Sequence, residues 1–410
     1  MTDRQNIVII GAGFGGLRTA VLLAKKIKNR KLTGRYNVIL IDRNKHQTYT
    51  PLLYEAATVS KDSANYSEIK KLVVYSIEDL IAGLPIKFIN NEVVKIDLIN
   101  GDIHCQSFAV TQEELKFDYL VLASGSEVNY FNIPGLAENS LTLKTFIDAL
   151  KIRDKVLDLT AEKKDVRILI GGGGSSGVEL AGELKKWLPK LSVTIVEAAP
   201  TILSGLDVQV INKVEKRLKD LGVEIITNEK ITQVQKNKVL TERKELLFDA
   251  LIWCGGVKPS RLVSELPLKT EAKGRIEVGG EMLCLPQSEN LELYGKVYGV
   301  GDIVCCYNPA IGKPLPMVAR AALSQATVVA KNILGKRVKF HCPKSYPYII
   351  AAGGKYAVAK IGPFMISGFL GWILKGLVEL NYLVSIMAFS KAVKVWLKGL
   401  YIFIKNDRIG

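Results

Sequence analysis

Two glycine-rich turns, each set between an apolar run and an Ala/Leu/Lys-rich helical pattern, predict an α/β fold of two Rossmann-like units. The first turn is Gly11-Ala12-Gly13-Phe14-Gly15-Gly16, entered by the run Ile7–Ile10. The second runs from Gly171 through Gly172, Gly173, Gly174, Ser175 and Ser176 to Gly177, entered by Arg167–Ile170. An acid closes the next apolar run in both cases, Asp42 after Tyr36–Ile41 and Glu197 after Val193–Val196. A third observation is that the two closing strands match. Phe117-Asp118-Tyr119-Leu120 leads to Ala123-Ser124-Gly125, and Phe248-Asp249-Ala250-Leu251 leads to Gly255-Gly256. The chain therefore carries an internal repeat at the scale of a domain.

Each part of the repeat has a physical reason. The first glycine of Gly11-x-Gly13-x-x-Gly16 permits the tight turn, the second lets backbone approach a pyrophosphate, and the third lets helix pack on strand. The helix start then offers free N–H groups and a positive dipole end to phosphate. The acid accepts hydrogen bonds from ribose hydroxyls. From Gly177 to Glu197 is 20 residues, the span expected of a short βαβ unit. From Gly16 to Asp42 is 26, the excess falling in the polar segment 28–35. One such unit binds one dinucleotide, so two predict two dinucleotides in one protein, an arrangement suited to electron transfer from a nicotinamide to a flavin.

Composition narrows the alternatives. A chain of 410 residues with 48% hydrophobic content is globular and long enough for two or three domains. Met1-Thr-Asp-Arg-Gln leads straight towards a strand, with no signal-peptide pattern. Six cysteines (105, 254, 284, 305, 306 and 342) form neither CxxC nor CxxxxC, and Cys342 has no evident partner. Buried, unreactive cysteines and a reducing compartment are expected. With three histidines, no metal site is expected. The net charge of +16 suits an anionic surface, and no nucleic-acid motif accompanies it, so lipid ranks above nucleic acid.

The C-terminal segment, 346–410, reads as a separate module. Its uncharged stretches, 361–374 and 380–390, are each shorter than the ~18 residues of a transmembrane helix. In the last helix Lys391, Lys394, Lys398 and Lys405 fall on one face, and Val393, Trp396, Leu397, Leu400, Phe403 and Ile404 on the opposite one. From Lys344 onward nine basic residues stand against two acids. A basic amphipathic helix with Trp and Phe suits a membrane interface, where each basic residue adds about 1 kcal/mol on an anionic surface. The competing occupant of the apolar face is the domain itself or a second copy of the chain, a homodimer.

The order of the Gly11 turn, Ala123-Ser124-Gly125, the Gly172 turn and Gly301-Asp302 resembles the two-dinucleotide-binding-domain flavoproteins. Four segments are similar to the type II NADH:quinone oxidoreductases, single-subunit and non-proton-pumping: Gln47–Ala57, Ile133–Leu136, Gly177–Leu184 and Gly354–Ala359. The resemblance covers nearly the whole chain. It implies FAD on residues 1–130 with 285–345, NADH on 131–284, and a membrane-associating segment over 346–410. Gly11, Ala12, Gly13, Phe14, Gly15 and Gly16 would hold the FAD pyrophosphate, and Asp42 with Arg43 would meet its adenosine ribose. Asp302 would bind the ribitol or pyrophosphate side, and Pro51 and Leu52 would line the isoalloxazine. Val93, Ala123, Ser124, Gly125 and Ala319 join the same set.

Gly172, Gly174, Ser175, Ser176, Gly177 and Val178 would hold NADH, Glu197 its ribose, and Gly255 and Gly256 its nicotinamide half. The resemblance implies NADH oxidation with two-electron reduction of a membrane quinone, at the cytoplasmic face of the cell membrane as a peripheral protein. Glu179 is the candidate for proton handling. The family's two quinone-side glutamines are replaced here by Arg320 and Ser324, with Gln325 one residue further on, a displacement of about 100° around a helix. Gln325 is the remaining catalytic candidate. The competing readings are a sulfide:quinone or disulfide/protein reductase and a non-enzymatic NADH-sensing membrane flavoprotein.

Overall fold

The computed structural model describes residues 4–106, 112–308, 312–343 and 346–409. Lys344, counted in the C-terminal basic excess, lies outside them, as do Met1, Thr2 and Asp3. The chain divides into two compact units. One comprises residues 1–47, 75–127 and 257–345, the other 48–74, 128–256 and 346–410. Contacts thus group residues 48–74 and 346–410 with the second nucleotide turn, and 257–284 with the first.

The first unit is built on a five-stranded parallel sheet in the order Lys296–Gly299, Tyr119–Leu122, Gln5–Ile10, Tyr36–Ile41, Ile86–Ile89. Ile7, Val8 and Ile9 are fully buried, as a sheet covered on both faces requires. The helix Phe14–Asn29 follows the central strand directly. A three-stranded antiparallel sheet, Glu92–Asp97, Asp102–Gln106 and Gln112–Lys116, is attached, and the helix Ala319–Ile333 completes the unit.

The second unit repeats the plan. Its parallel sheet runs Leu141–Thr142, Ala250–Trp253, Arg167–Gly171, Ser192–Val196, Val223–Ile226. In both units the strand entering the glycine turn is central, the acid-bearing strand lies on one side, and the matched closing strand on the other. The internal repeat in the sequence is therefore a repeat of topology. Trp253 packs with Leu169, Val196 and Phe248 in an apolar core, the structural role its apolar strand predicts.

Residues 346–409 add an antiparallel hairpin sheet, Tyr348–Ala351, Ala357–Ile361 and Phe364–Gly368, then the helices Phe369–Ile386 and Phe389–Ile409. The first helix corrects the reading of two short uncharged stretches. It is one helix of 18 residues that runs through Lys375 and Glu379 and is long and apolar enough, by length and composition, to cross a membrane. Its charges do not interrupt it because they are turned into the protein, where Lys375 meets Glu55. The last helix also sits differently from its helical-wheel expectation. The protein covers a narrow seam of Ala392, Gly399, Ile402 and Asn406. Leu397 lies on the exposed side, and Phe389 and Tyr401 are each 69% exposed.

Candidate functional site

The first glycine turn is shaped by what a side chain would strike. A Cβ at Gly16 would overlap the Gly11 carbonyl oxygen, and one at Gly11 would overlap the Ala123 carbonyl. Gly11 has a φ of +100°, a conformation that L side chains rarely adopt. Gly15 lies against Val300 and Ala322. The helix beginning at Phe14 has no side-chain cap at Gly13 and no acid in its first turn, so the positive end of its dipole is not offset by a capping side chain or a first-turn carboxylate and suits an anion. Asp42 is locked in place. One carboxylate oxygen accepts the Ala12 N–H at 2.7 Å, and the other accepts the Asn44 N–H at 2.7 Å. A carboxylate has about four lone-pair sites, which leaves acceptor capacity for ribose hydroxyls. Arg43 pairs with Glu92 at 3.2 Å, beside Val93, which pairs with Cys105 across the strands.

Asp302 sits in a short turn, Gly301–Ile303, and accepts the Ser126 hydroxyl at 2.6 Å. Ser124 and Ser260 hydroxyls are 2.7 Å apart, and the Ser260 N–H donates to the Gly125 carbonyl. Gln325 is 2% exposed, and its Oε1 accepts the Gly301 N–H at 2.8 Å. Its side chain thus holds the Gly301-Asp302 turn, while Arg320 on the same helix is exposed and the Ser324 hydroxyl donates back to the Arg320 carbonyl. Ala319 is the first residue of that helix. Pro51 is exposed and Leu52 buried, both in the second unit rather than with the Gly11 turn.

The second turn copies the first. A Cβ at Gly177 would overlap the Gly172 carbonyl oxygen, and one at Gly172 would press on Gly255. Gly172 has a φ of +107°. The helix Ser175–Trp187 again lacks a side-chain cap and a first-turn acid, and Ser175 and Ser176 are exposed at its start, with Val178 fully buried behind them. Glu197 is held as Asp42 is, accepting the Gly173 N–H at 2.6 Å and the Ala199 N–H at 2.7 Å. Gly256 carries the Asn129 N–H on its carbonyl at 3.1 Å. Gly11–Gly16 with Ala123, and Gly172–Gly177 with Gly255, are each brought together, and both cradles fit a dinucleotide pyrophosphate.

Behind the second turn lies a cluster of ionisable groups that spacing in the sequence does not disclose. Lys375 and Glu55 form an ion pair of 2.5 Å. The Tyr54 hydroxyl donates to Glu55 at 3.0 Å, and the Lys375 ammonium lies 4.8 Å from the Tyr54 ring centre. Glu179 accepts the Ala351 N–H at 3.3 Å, and Glu183 accepts the Gly354 N–H at 3.1 Å. Loss of solvation raises the Glu179 carboxyl to about 7, against the opposing pull of Lys375 and the Ala351 N–H. Loss of solvation likewise raises Glu379 to about 8, opposed by Lys375 and reinforced by Glu55. Burial works against the charge on Lys375, but Glu55, Glu379 and Glu179 outweigh it and hold the ammonium protonated.

The fold also supplies the partner that Cys342 lacks in the sequence. Its Sγ lies 3.8 Å from that of Cys306, 36 positions away. A search by short spacing cannot find such a pair.

The family model for pyridine nucleotide-disulphide oxidoreductases matches residues 5–326. A type II NADH:quinone oxidoreductase of Staphylococcus haemolyticus is 30% identical over 357 residues, 81% of this chain and 82% of that protein. One from Staphylococcus aureus is 29% identical over the same extent. Among solved structures, NDH2 from Plasmodium falciparum in complex with NADH aligns over 97% of this chain and 98% of its own, with a TM-score of 0.81 at 17% identity. The sulfide:quinone oxidoreductase of Aquifex aeolicus aligns over 96% of both chains with a TM-score of 0.76 at 21% identity. These two likenesses are of fold.

Proposed function

The chain belongs to the pyridine nucleotide-disulphide oxidoreductases and, among them, to the type II NADH:quinone oxidoreductases, and from this premise we propose how its residues carry out that family's reaction. The protein oxidises NADH and reduces a quinone: NADH, one proton and quinone give NAD⁺ and quinol. Two glycine cradles, each with its own anchored acid, carry this reading, because the reaction needs two dinucleotides. FAD, when bound, supplies the two-electron redox chemistry. The residues of the chain bind, orient and protonate.

Gly11–Gly16, with the uncapped helix at Phe14, receive the FAD pyrophosphate, and Asp42 takes its ribose. Ser126 orients Asp302 towards the same cofactor, and Gln325 acts as a positioning residue through the Gly301 N–H rather than by contact with the acceptor. Gly172–Gly177 and Glu197 do the same for NADH. We assign residues 1–130 with 285–345 to FAD and 131–284 to NADH.

Glu179 is the proton-handling group. With its carboxyl raised to about 7, it is partly protonated at neutral pH and can give up or take up a proton there. The one proton that the reaction consumes gives such a group a task.

The C-terminal helices attach the protein to the membrane surface on its cytoplasmic side. Phe369, Leu370, Leu377, Phe389, Leu397 and Tyr401 are exposed apolar side chains, and Lys391, Lys394 and Lys398 lie exposed among them. Apolar side chains with flanking lysines match an anionic lipid interface. A homodimer through the same face is the competing arrangement.

Steady-state turnover with purified protein tests the function. The protein should be yellow, release FAD on acid denaturation, and reduce a soluble quinone with NADH. Colourless protein that takes up no FAD, or FAD-loaded protein that turns over NADH with disulfides but not with quinone, would overturn it.

A further inference from the structure

We propose that Cys306 and Cys342 are a peroxide-responsive thiol pair that closes into a reversible disulfide. Three observations carry this. The two sulfurs are 3.8 Å apart. Both residues belong to the same compact unit, so the pair is a property of one folded body. The two thiols also differ in access. Cys306 is buried, whereas Cys342 is partly exposed beside the exposed His341, and its thiol donates to the Tyr307 carbonyl at 3.5 Å.

The neighbouring Cys305 is set apart by its burial and its own partner. It lies in the strand Val304–Cys305, fully buried, and its thiol is engaged with Tyr307. Closing Cys306 onto Cys342 needs the sulfurs to approach to about 2 Å, within reach of side-chain rotation and a small backbone adjustment.

The chemistry balances with a peroxide as oxidant. The Cys342 thiol loses its proton, the thiolate attacks the peroxide, the O–O bond breaks and, with hydrogen peroxide, a sulfenic acid forms and hydroxide leaves, which takes up the thiol's proton to give one water. The Cys306 sulfur then attacks the sulfenic sulfur, the S–S bond forms, and a second water leaves. The two thiols lose two electrons and two protons in total, and the peroxide is reduced to two waters. A dithiol reductant reverses the step by exchange. Burial raises the thiols, Cys306 to about 12 and Cys342 above its ordinary value, so the thiolate is scarce at neutral pH. The pair therefore answers sustained peroxide rather than traces, and its rate should climb about 10-fold per pH unit between 7 and 9.

The test uses FAD-loaded, full-length protein exposed to hydrogen peroxide without denaturant, then alkylated and digested. Peptide mass spectrometry should recover a cross-link joining the Cys306 and Cys342 peptides, two hydrogens lighter than the dithiol and lost on treatment with dithiothreitol. In Cys306→Ser, dimedone should label Cys342 as the trapped sulfenic acid, and Cys305→Ser should leave the cross-link intact. Cys306→Ala serves if the serine variant folds poorly. Recovery of a Cys305–Cys306 linkage, over-oxidation of Cys342 with no cross-link, or two unreacted thiols would each overturn the proposal. None of these readouts depends on quinone turnover, so failure here is distinguishable from failure of the assigned reaction.

Discussion

Glu379 and Glu197 use a carboxylate in different ways, and each use can be checked by a change to glutamine. Glu379 is buried with its carboxyl raised to about 8, so the folded protein binds a proton there that the unfolded chain releases near the ordinary carboxyl value. The folded state holds more protons, and stability must therefore fall as pH rises from about 4.5 to about 8. Glu379→Gln removes that dependence. Its thermal midpoint relative to wild type should be higher at pH 8.5 than at pH 5.5, and a gap that does not change with pH would mean the carboxyl is ionised throughout. Glu197 is held by the Gly173 and Ala199 N–H groups, and in the NADH assignment proposed above its carboxylate would meet the 2′-phosphate of NADPH, with no arginine among the residues that follow, Ala198, Ala199 and Pro200. The wild type should prefer NADH, and Glu197→Gln should raise relative use of NADPH by about 10-fold, the scale of about 1.4 kcal/mol. Equal use of both nucleotides by the wild type would remove Glu197 from the ribose site.

At the scale of elements, the two glycine turns separate the two cofactors experimentally. A methyl at Gly16 would strike the Gly11 carbonyl oxygen, and one at Gly177 the Gly172 carbonyl oxygen, both backbone atoms that cannot swing aside. Each substitution forces its helix off its strand at a cost of about 1–3 kcal/mol. Gly16→Ala should weaken FAD retention about 10-fold or more, measured by flavin released on dilution. Gly177→Ala should keep the flavin and raise the KM for NADH by a similar factor. Loss of flavin from Gly177→Ala and not from Gly16→Ala would exchange the two assignments.

These turns were legible in the sequence because every part of them is local. A glycine spacing, an apolar run and an acid about 20 residues on specify the element without knowledge of its neighbours. The departure at Arg320, Ser324 and Gln325 was legible only against the resembled family's pattern, and the partner of Gln325 was not, since the Gly301 N–H comes from a preceding turn. The Glu55–Lys375 pair joins residues 320 positions apart, and the Cys306–Cys342 contact joins residues 36 apart. Tertiary packing alone makes those neighbours.

For the molecule as a whole, the C-terminal helices decide whether the enzyme works at a lipid surface. Deleting the last helix is a poor test, because Asn406 accepts the Ser60 N–H at 2.8 Å and donates to the Thr58 carbonyl at 3.0 Å, and Lys405 reaches the Asp62 carbonyl. Truncation would remove those partners and damage the unit it leaves behind. Substituting the exposed face avoids this. Phe389, Leu397 and Tyr401 are all more than half exposed, so replacing the three with serine costs little folding stability. It removes most of the apolar area that the last helix offers to lipid. Binding to vesicles containing anionic lipid should fall by about 10-fold or more, given about 25 cal/mol for each Å² no longer buried in the interface. High salt should weaken the wild type only in part, because it screens Lys391 and Lys394 and leaves apolar insertion intact. NADH oxidation by a small water-soluble acceptor should persist in the triple variant while reduction of a long-tailed quinone slows. If the variant instead binds vesicles as the wild type does but elutes as a smaller species on sizing, the exposed face belongs to a second copy of the chain.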